Sequence, residues 1–83
     1  MGFRAWLRGL LDEGKYRSQY QMADAFGVKQ PTVNHWLQGE RLPDRDRCSL
    51  ISDATGEPVG RIMEMVSRDA RESSLGNRSA ALV

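Results

Sequence analysis

Cysteine and histidine are nearly missing from this chain: its 83 residues hold one of each, Cys48 and His35. A lone cysteine cannot close an internal disulfide, so packing has to hold the fold, which suits a reducing compartment and gives the expectation of a cytoplasmic protein. Cys48 reads as a small buried hydrophobe on a helix. A single histidine with no second histidine or cysteine at ligand spacing gives no expected metal site. An excess of one charge is also missing. Twelve basic and eleven acidic residues leave a formal +1, too little for a protein whose binding rests on phosphate neutralisation alone. The balance is mildly uneven, with six basic and four acidic groups in residues 1–43 against six and seven in residues 44–83. No apolar run reaches the roughly 20 residues of a membrane span. Arg4 and Arg8 interrupt the stretch Phe3–Leu11, which therefore fails as a signal peptide. There is no internal repeat, Gly-rich phosphate loop or nucleophile elbow. A chain this short buries only about 60–65% of its unfolded surface. That suffices for a helical core but leaves little for a substrate cleft, so a non-enzymatic module without a cofactor is expected.

What is present is concentrated between Gln19 and Gln38, QYQMADAFGVKQPTVNHWLQ. It reads as two short helices joined by a tight turn. Ser18 is an N-cap, and Gln21 three residues later completes a capping box of the S-x-x-Q type. Met22, Ala23 and Phe26 share one face of the first helix, and the small Ala23 lets a second helix cross closely. Gly27 takes the left-handed turn, and Val28 plugs it. The second helix opens at Gln30-Pro31, where proline is tolerated because first-turn amides have no intrahelical partner. Val33, Trp36 and Leu37 form its inward face. Lys29, Gln30, Thr32, Asn34, His35 and Gln38 are left outward, with no carboxylate among them. Amide side chains donate and accept at once, which matches the paired acceptor and donor on the major-groove edge of adenine. The pattern is that of a DNA-reading helix-turn-helix.

These residues resemble the lambda-repressor/Cro-like, or Xre-type, helix-turn-helix family. Its pattern places glutamine at the start of the first motif helix, alanine four residues on, glycine four after that, then an apolar residue, as in Gln19, Ala23, Gly27 and Val28. Gln30 matches the glutamine that often opens the family's recognition helix. Val33 and Trp36 match its apolar positions, and Gly39 and Pro43 its exit. The likeness covers residues 3–66. Pro31 departs from it, standing where a small polar residue is usual; the ring removes a donor and offers an apolar edge to a thymine methyl. Lys29 departs too, standing where a serine or threonine cap is common, so the recognition helix is expected to be weakly capped or to start late. The resemblance implies sequence-specific transcriptional regulation by a small phage- or prophage-type repressor that binds a two-fold DNA operator as a homodimer. Gln30, Thr32, Asn34 and His35 are the candidates for base contacts. Gln19, Lys29, Arg41 and Arg45 are the candidates for DNA backbone contacts. Gln19 and Gln30 match the family pattern directly.

The flanks complete an expected all-α bundle of about five helices. Phe3, Trp6, Leu7, Leu10 and Leu11 recur at amphipathic spacing, and Gly14 ends that helix. Trp6, Phe26, Val33 and Trp36 are expected to be buried together. Asp44 is a possible cap for a fourth helix with Leu50, Ile51 and Ala54 on its apolar side, closed by Gly56. A fifth begins near Pro58, with Val59, Ile62, Met63 and Val66 inward. Met65 falls off that stripe. Residues 1–72 form the expected DNA-binding domain, and the small polar segment 73–83 a loosely ordered tail. Ile62, Met65 and Leu75 are the candidates for a dimer interface. The alternative is an antitoxin-like module whose C-terminal helix and tail bind a partner protein.

Overall fold

A computed structural model describes the chain from Gly2 to Leu82, with side chains through Glu72. Five helices follow in order: α1 Phe3–Asp12, α2 Gln19–Phe26, α3 Gln30–Gln38, α4 Arg45–Thr55 and α5 Val59–Leu82. No strand occurs among the described residues. The fold is the all-α bundle that the hydrophobic spacing predicts.

The core lies among all five helices, with α1 packed on α3 and α5, α2 on α3 and α4, and α4 on α5. Phe3, Leu7, Leu10, Met22, Ala23, Phe26, Val33, Trp36, Leu37, Cys48, Ile51, Ile62 and Met65 form one buried cluster. Trp36 stands edge-on to Phe3, with ring centroids 5.8 Å apart, and so pins α3 to α1. Tyr16, in the α1–α2 link, stands edge-on to Phe26 at 5.6 Å. Trp6 departs from expectation: it is half-buried, tilted against Phe3 at the margin of the cluster.

The helix ends are fixed by chemistry visible in the sequence and by one contact that is not. Asp44 caps α4 by accepting the Arg47 amide at 2.9 Å. Gly39 ends α3 at φ 76, and the Arg4 side chain lies where a Cβ would stand. The unexpected contact is at α1. Gly2, its N-cap, has no side chain, and Asp69 of α5 supplies the missing acceptor by taking the Arg4 amide at 2.9 Å. A Cβ on Gly2 would collide with that carboxylate.

Two helices are turned relative to the sequence expectation. On α5, Met65 is 6% exposed and Ile62 fully buried, while Val59 and Met63 are exposed. The inward line is Ile62, Met65, Val66 and Asp69, at i, i+3, i+4 and i+7. Met65 and Ile62 therefore pack in the monomer's own core. On α4, Cys48 and Ile51 are buried, and half-buried Ser52 and Thr55 complete the line. Leu50 and Ala54 face outward instead. The backbone continues as helix through 73–82, the segment whose composition suggested a tail. An internal glycine such as Gly76 costs a helix only about 1 kcal/mol relative to alanine. Leu75 lies outside the residues whose side chains are described.

Candidate nucleic-acid interface

The helix-turn-helix is assembled by three local devices. Ser18 Oγ accepts the Gln21 amide at 3.2 Å, capping α2. The Gln21 side chain reaches back one residue further than in a standard capping box and accepts the Arg17 amide at 2.6 Å. Gly27 takes φ 71, and the amides of Gly27 and Val28 bond back to Asp24 and Ala23. This closure turns the chain sharply enough for α3 to cross α2 over the small, buried Ala23. Val28 packs partly buried in the turn.

α3 then presents two unlike faces. Val33, Trp36 and Leu37 are buried. Lys29, Pro31 and Gln38 are exposed, and Gln30, Thr32, Asn34 and His35 are half-exposed at its flanks. Lys29 makes no side-chain cap, as its chemistry implies, and Pro31 occupies the first turn. The polar side chains are tied in pairs. Gln30 Nε2 donates to Gln19 Oε1 at 2.9 Å, joining the starts of the two motif helices. Gln38 Nε2 donates to Asn34 Oδ1 at 3.2 Å. His35 Nδ1 meets the Glu40 carboxylate just beyond the helix.

The Gln19–Gln30 bond decides what each amide can still do. Gln30 retains one N–H and its own carbonyl oxygen. Those two groups are what a bidentate contact with adenine N7 and N6 requires. Gln19 retains both N–H groups for an acceptor such as a phosphate oxygen. The bridge also orients both side chains, which removes rotamer freedom before any contact is made.

Cations close to the motif in the chain are not tied down. Among the described residues, Arg17, Lys29, Arg41 and Arg45 form no salt bridge, and all four are exposed. Arg47 differs, since its guanidinium is held by Asp44 at 2.9 Å. Tyr20, one residue into the motif helix, is 71% exposed. Sequence reasoning gave it no role. Its position off the line Gln19, Met22, Ala23, Phe26 was the signal that it points outward.

A family model described as Helix-turn-helix, of the Xre and lambda-repressor type, matches residues 13–62. The chain belongs to this helix-turn-helix family. The match takes in the whole motif, α4 and the start of α5, more than half of the 83 residues. The family is one of DNA-binding transcription regulators. No curated protein and no solved structure matches significantly. Among the described residues, no helix is long and apolar enough to cross a membrane.

Within this helix-turn-helix protein, Gln19, Gln30, Thr32, Asn34 and His35 lie on or beside one face, and Lys29, Arg41 and Arg45 lie at its edges in the chain. Glu40, to which sequence reasoning gave no role, joins them. Its carboxylate contacts His35 Nδ1. Thr32 and His35 share a shallow hollow with Arg41 and Arg47, between α3 and the start of α4.

Proposed function

We propose that this protein is a small phage- or prophage-type repressor that reads a two-fold operator as a homodimer, with α3 in the major groove. The carrying observation is the face of α3 itself. From Lys29 to Gln38 it holds amides, a hydroxyl, an imidazole and one ammonium group, and no acid. Its leading glutamine is held in place by Gln19. Solubility alone would be served by the usual Glu and Lys mixture. Gln30, Thr32, Asn34 and His35 are assigned to base edges. Gln19, Lys29, Arg41 and Arg45 are assigned to the phosphate backbone, and the exposed Tyr20 hydroxyl joins them.

Dimerisation is supported by the economy of contacts. One short helix reads only a few base pairs, and a +1 chain gains little from phosphates. A second copy related by a two-fold axis would double the contacts and set the half-sites about 34 Å apart. With Ile62 and Met65 packed in the core, the large apolar residues exposed on α5 among the described residues are Val59 and Met63, one turn apart. They replace Ile62 and Met65 as the proposed contact.

Selection of bound duplexes from a random pool tests this reading. The expected result is a two-fold symmetric consensus, with two protomers per duplex by sedimentation. Retention of a single asymmetric half-site by one protomer would reject the dimer. Retention of nothing, with a second protein bound at α5, would favour the antitoxin-like alternative.

A further inference from the structure

The contact between His35 and Glu40 has a chemical consequence for base reading. A carboxylate has no proton to donate, so its approach to His35 Nδ1 is a hydrogen bond only when Nδ1 carries the hydrogen. The bond made by one ring nitrogen sets the state of the other. In the neutral ring, Nε2 is then a bare acceptor. Among the described residues no protein group bonds Nε2, and the side chain is 40% exposed on the outward side of α3. The loop that carries Glu40 is fixed relative to α3, because Gly39 takes the left-handed conformation and the Glu40 amide bonds back to His35 O at 3.0 Å. The acceptor is therefore presented by a preset geometry. The other charged groups around the ring are Arg41 in the same loop and Asp44 and Arg47 at the start of α4. Asp44 and Arg47 are paired with each other.

We propose that Glu40 is a positioning residue that locks His35 in its Nδ1–H tautomer, so that Nε2 selects a base edge bearing a donor. The edges that qualify are adenine N6 and cytosine N4. This rests on the assignment of α3 to base reading. The opposite tautomer, Nε2–H, makes Nε2 a donor and shifts its match to the acceptors of guanine.

The experiment has two arms. Nitrogen-15 spectra of the free protein at pH 8 should show a protonated Nδ1 and an unprotonated Nε2. Glu40→Ala should move the ring toward the Nε2–H form, and Glu40→Gln, whose carbonyl oxygen still accepts, should restore Nδ1–H. An unchanged tautomer in Glu40→Ala would overturn the proposal. In the second arm, binding is measured on the selected duplex and on duplexes changed at each base pair, each normalised to random duplex. That ratio removes the uniform gain from deleting a carboxylate near phosphates. Wild type and Glu40→Gln should prefer the donor-bearing base about fivefold over guanine at pH 8, and Glu40→Ala should lose that preference. A swapped tautomer with unchanged base preference would overturn the reading role of His35. Failure to retain any duplex would overturn the DNA assignment itself, with the spectra still deciding what Glu40 does.

Discussion

Removing the Asp69 carboxylate tests whether a residue near the far end of the described chain holds the first helix. Asp69 takes the Arg4 amide at 2.9 Å, in the place of a cap that Gly2 cannot provide. Loss of an N-cap acceptor costs about 1 kcal/mol. A negative charge at a helix N-terminus contributes a further 0.3–1 kcal/mol, roughly, before salt screening. Asp69→Ala should therefore destabilise by about 1–2 kcal/mol. Asp69→Asn, which keeps an acceptor and loses only the charge, should cost no more than about 1 kcal/mol. In a domain of this size each kcal/mol lowers Tm by about 4–8 °C. Urea unfolding followed by far-ultraviolet circular dichroism gives the free energies, and thermal scans the shift. Gly2→Ala, which crowds the same carboxylate, should destabilise wild type but cost less once Asp69 is alanine. Strict additivity, or an Asp69→Ala protein within about 0.3 kcal/mol of wild type, would show that the contact is incidental to α1.

Four further outcomes are expected. Trp36→Ala removes a ring that is 1% exposed and packed edge-on to Phe3, so urea unfolding should show a loss of about 3–5 kcal/mol. Met63→Asp should raise the dimer dissociation constant in sedimentation and weaken operator binding in parallel, with the circular dichroism spectrum unchanged. Lys29, Arg41 and Arg45 amount to six phosphate partners in a dimer, so log K against log salt should slope near −5, at about −0.9 per phosphate. Cys48 is buried, and desolvation, with Asp44 nearby, pushes its thiol above the usual range. Its thiolate is therefore disfavoured in the fold, and alkylation at pH 8 should be slow until urea unfolds the protein.

The motif was legible because each of its constraints is local. Ser18, Gly27, Gly39 and Asp44 act within five residues of their own positions, and Val33, Trp36 and Leu37 share a face by helical spacing alone. The rotations of α4 and α5 were not legible, for a common reason. Each inward line is completed by polar residues, Ser52 and Thr55 on α4 and Asp69 on α5. A count of apolar residues passes over them and favours Leu50, Val59 or Met63 instead. Ser52 Oγ donates to Glu57 O at 2.6 Å, and Thr55 Oγ1 to Ile51 O at 2.8 Å, so these groups are satisfied locally and can lie inward. The capping of α1 by Asp69 joins residues 65 apart in the chain, beyond the reach of any spacing rule. At the interface, residue types were legible and their pairing was not. Gln19 with Gln30 and His35 with Glu40 become neighbours only through the two glycine turns.

The central claim is that α3 reads base edges through a glutamine positioned by its neighbour. The most direct measurement compares Gln30→Ala with wild type on the selected operator and on random duplex at one fixed salt concentration. Binding to the operator should weaken by about 1–3 kcal/mol, with preference relaxed at a single base pair per half-site and random-duplex affinity unchanged. Equal weakening on both duplexes would contradict base reading by Gln30 and leave α3 as a backbone-contacting helix.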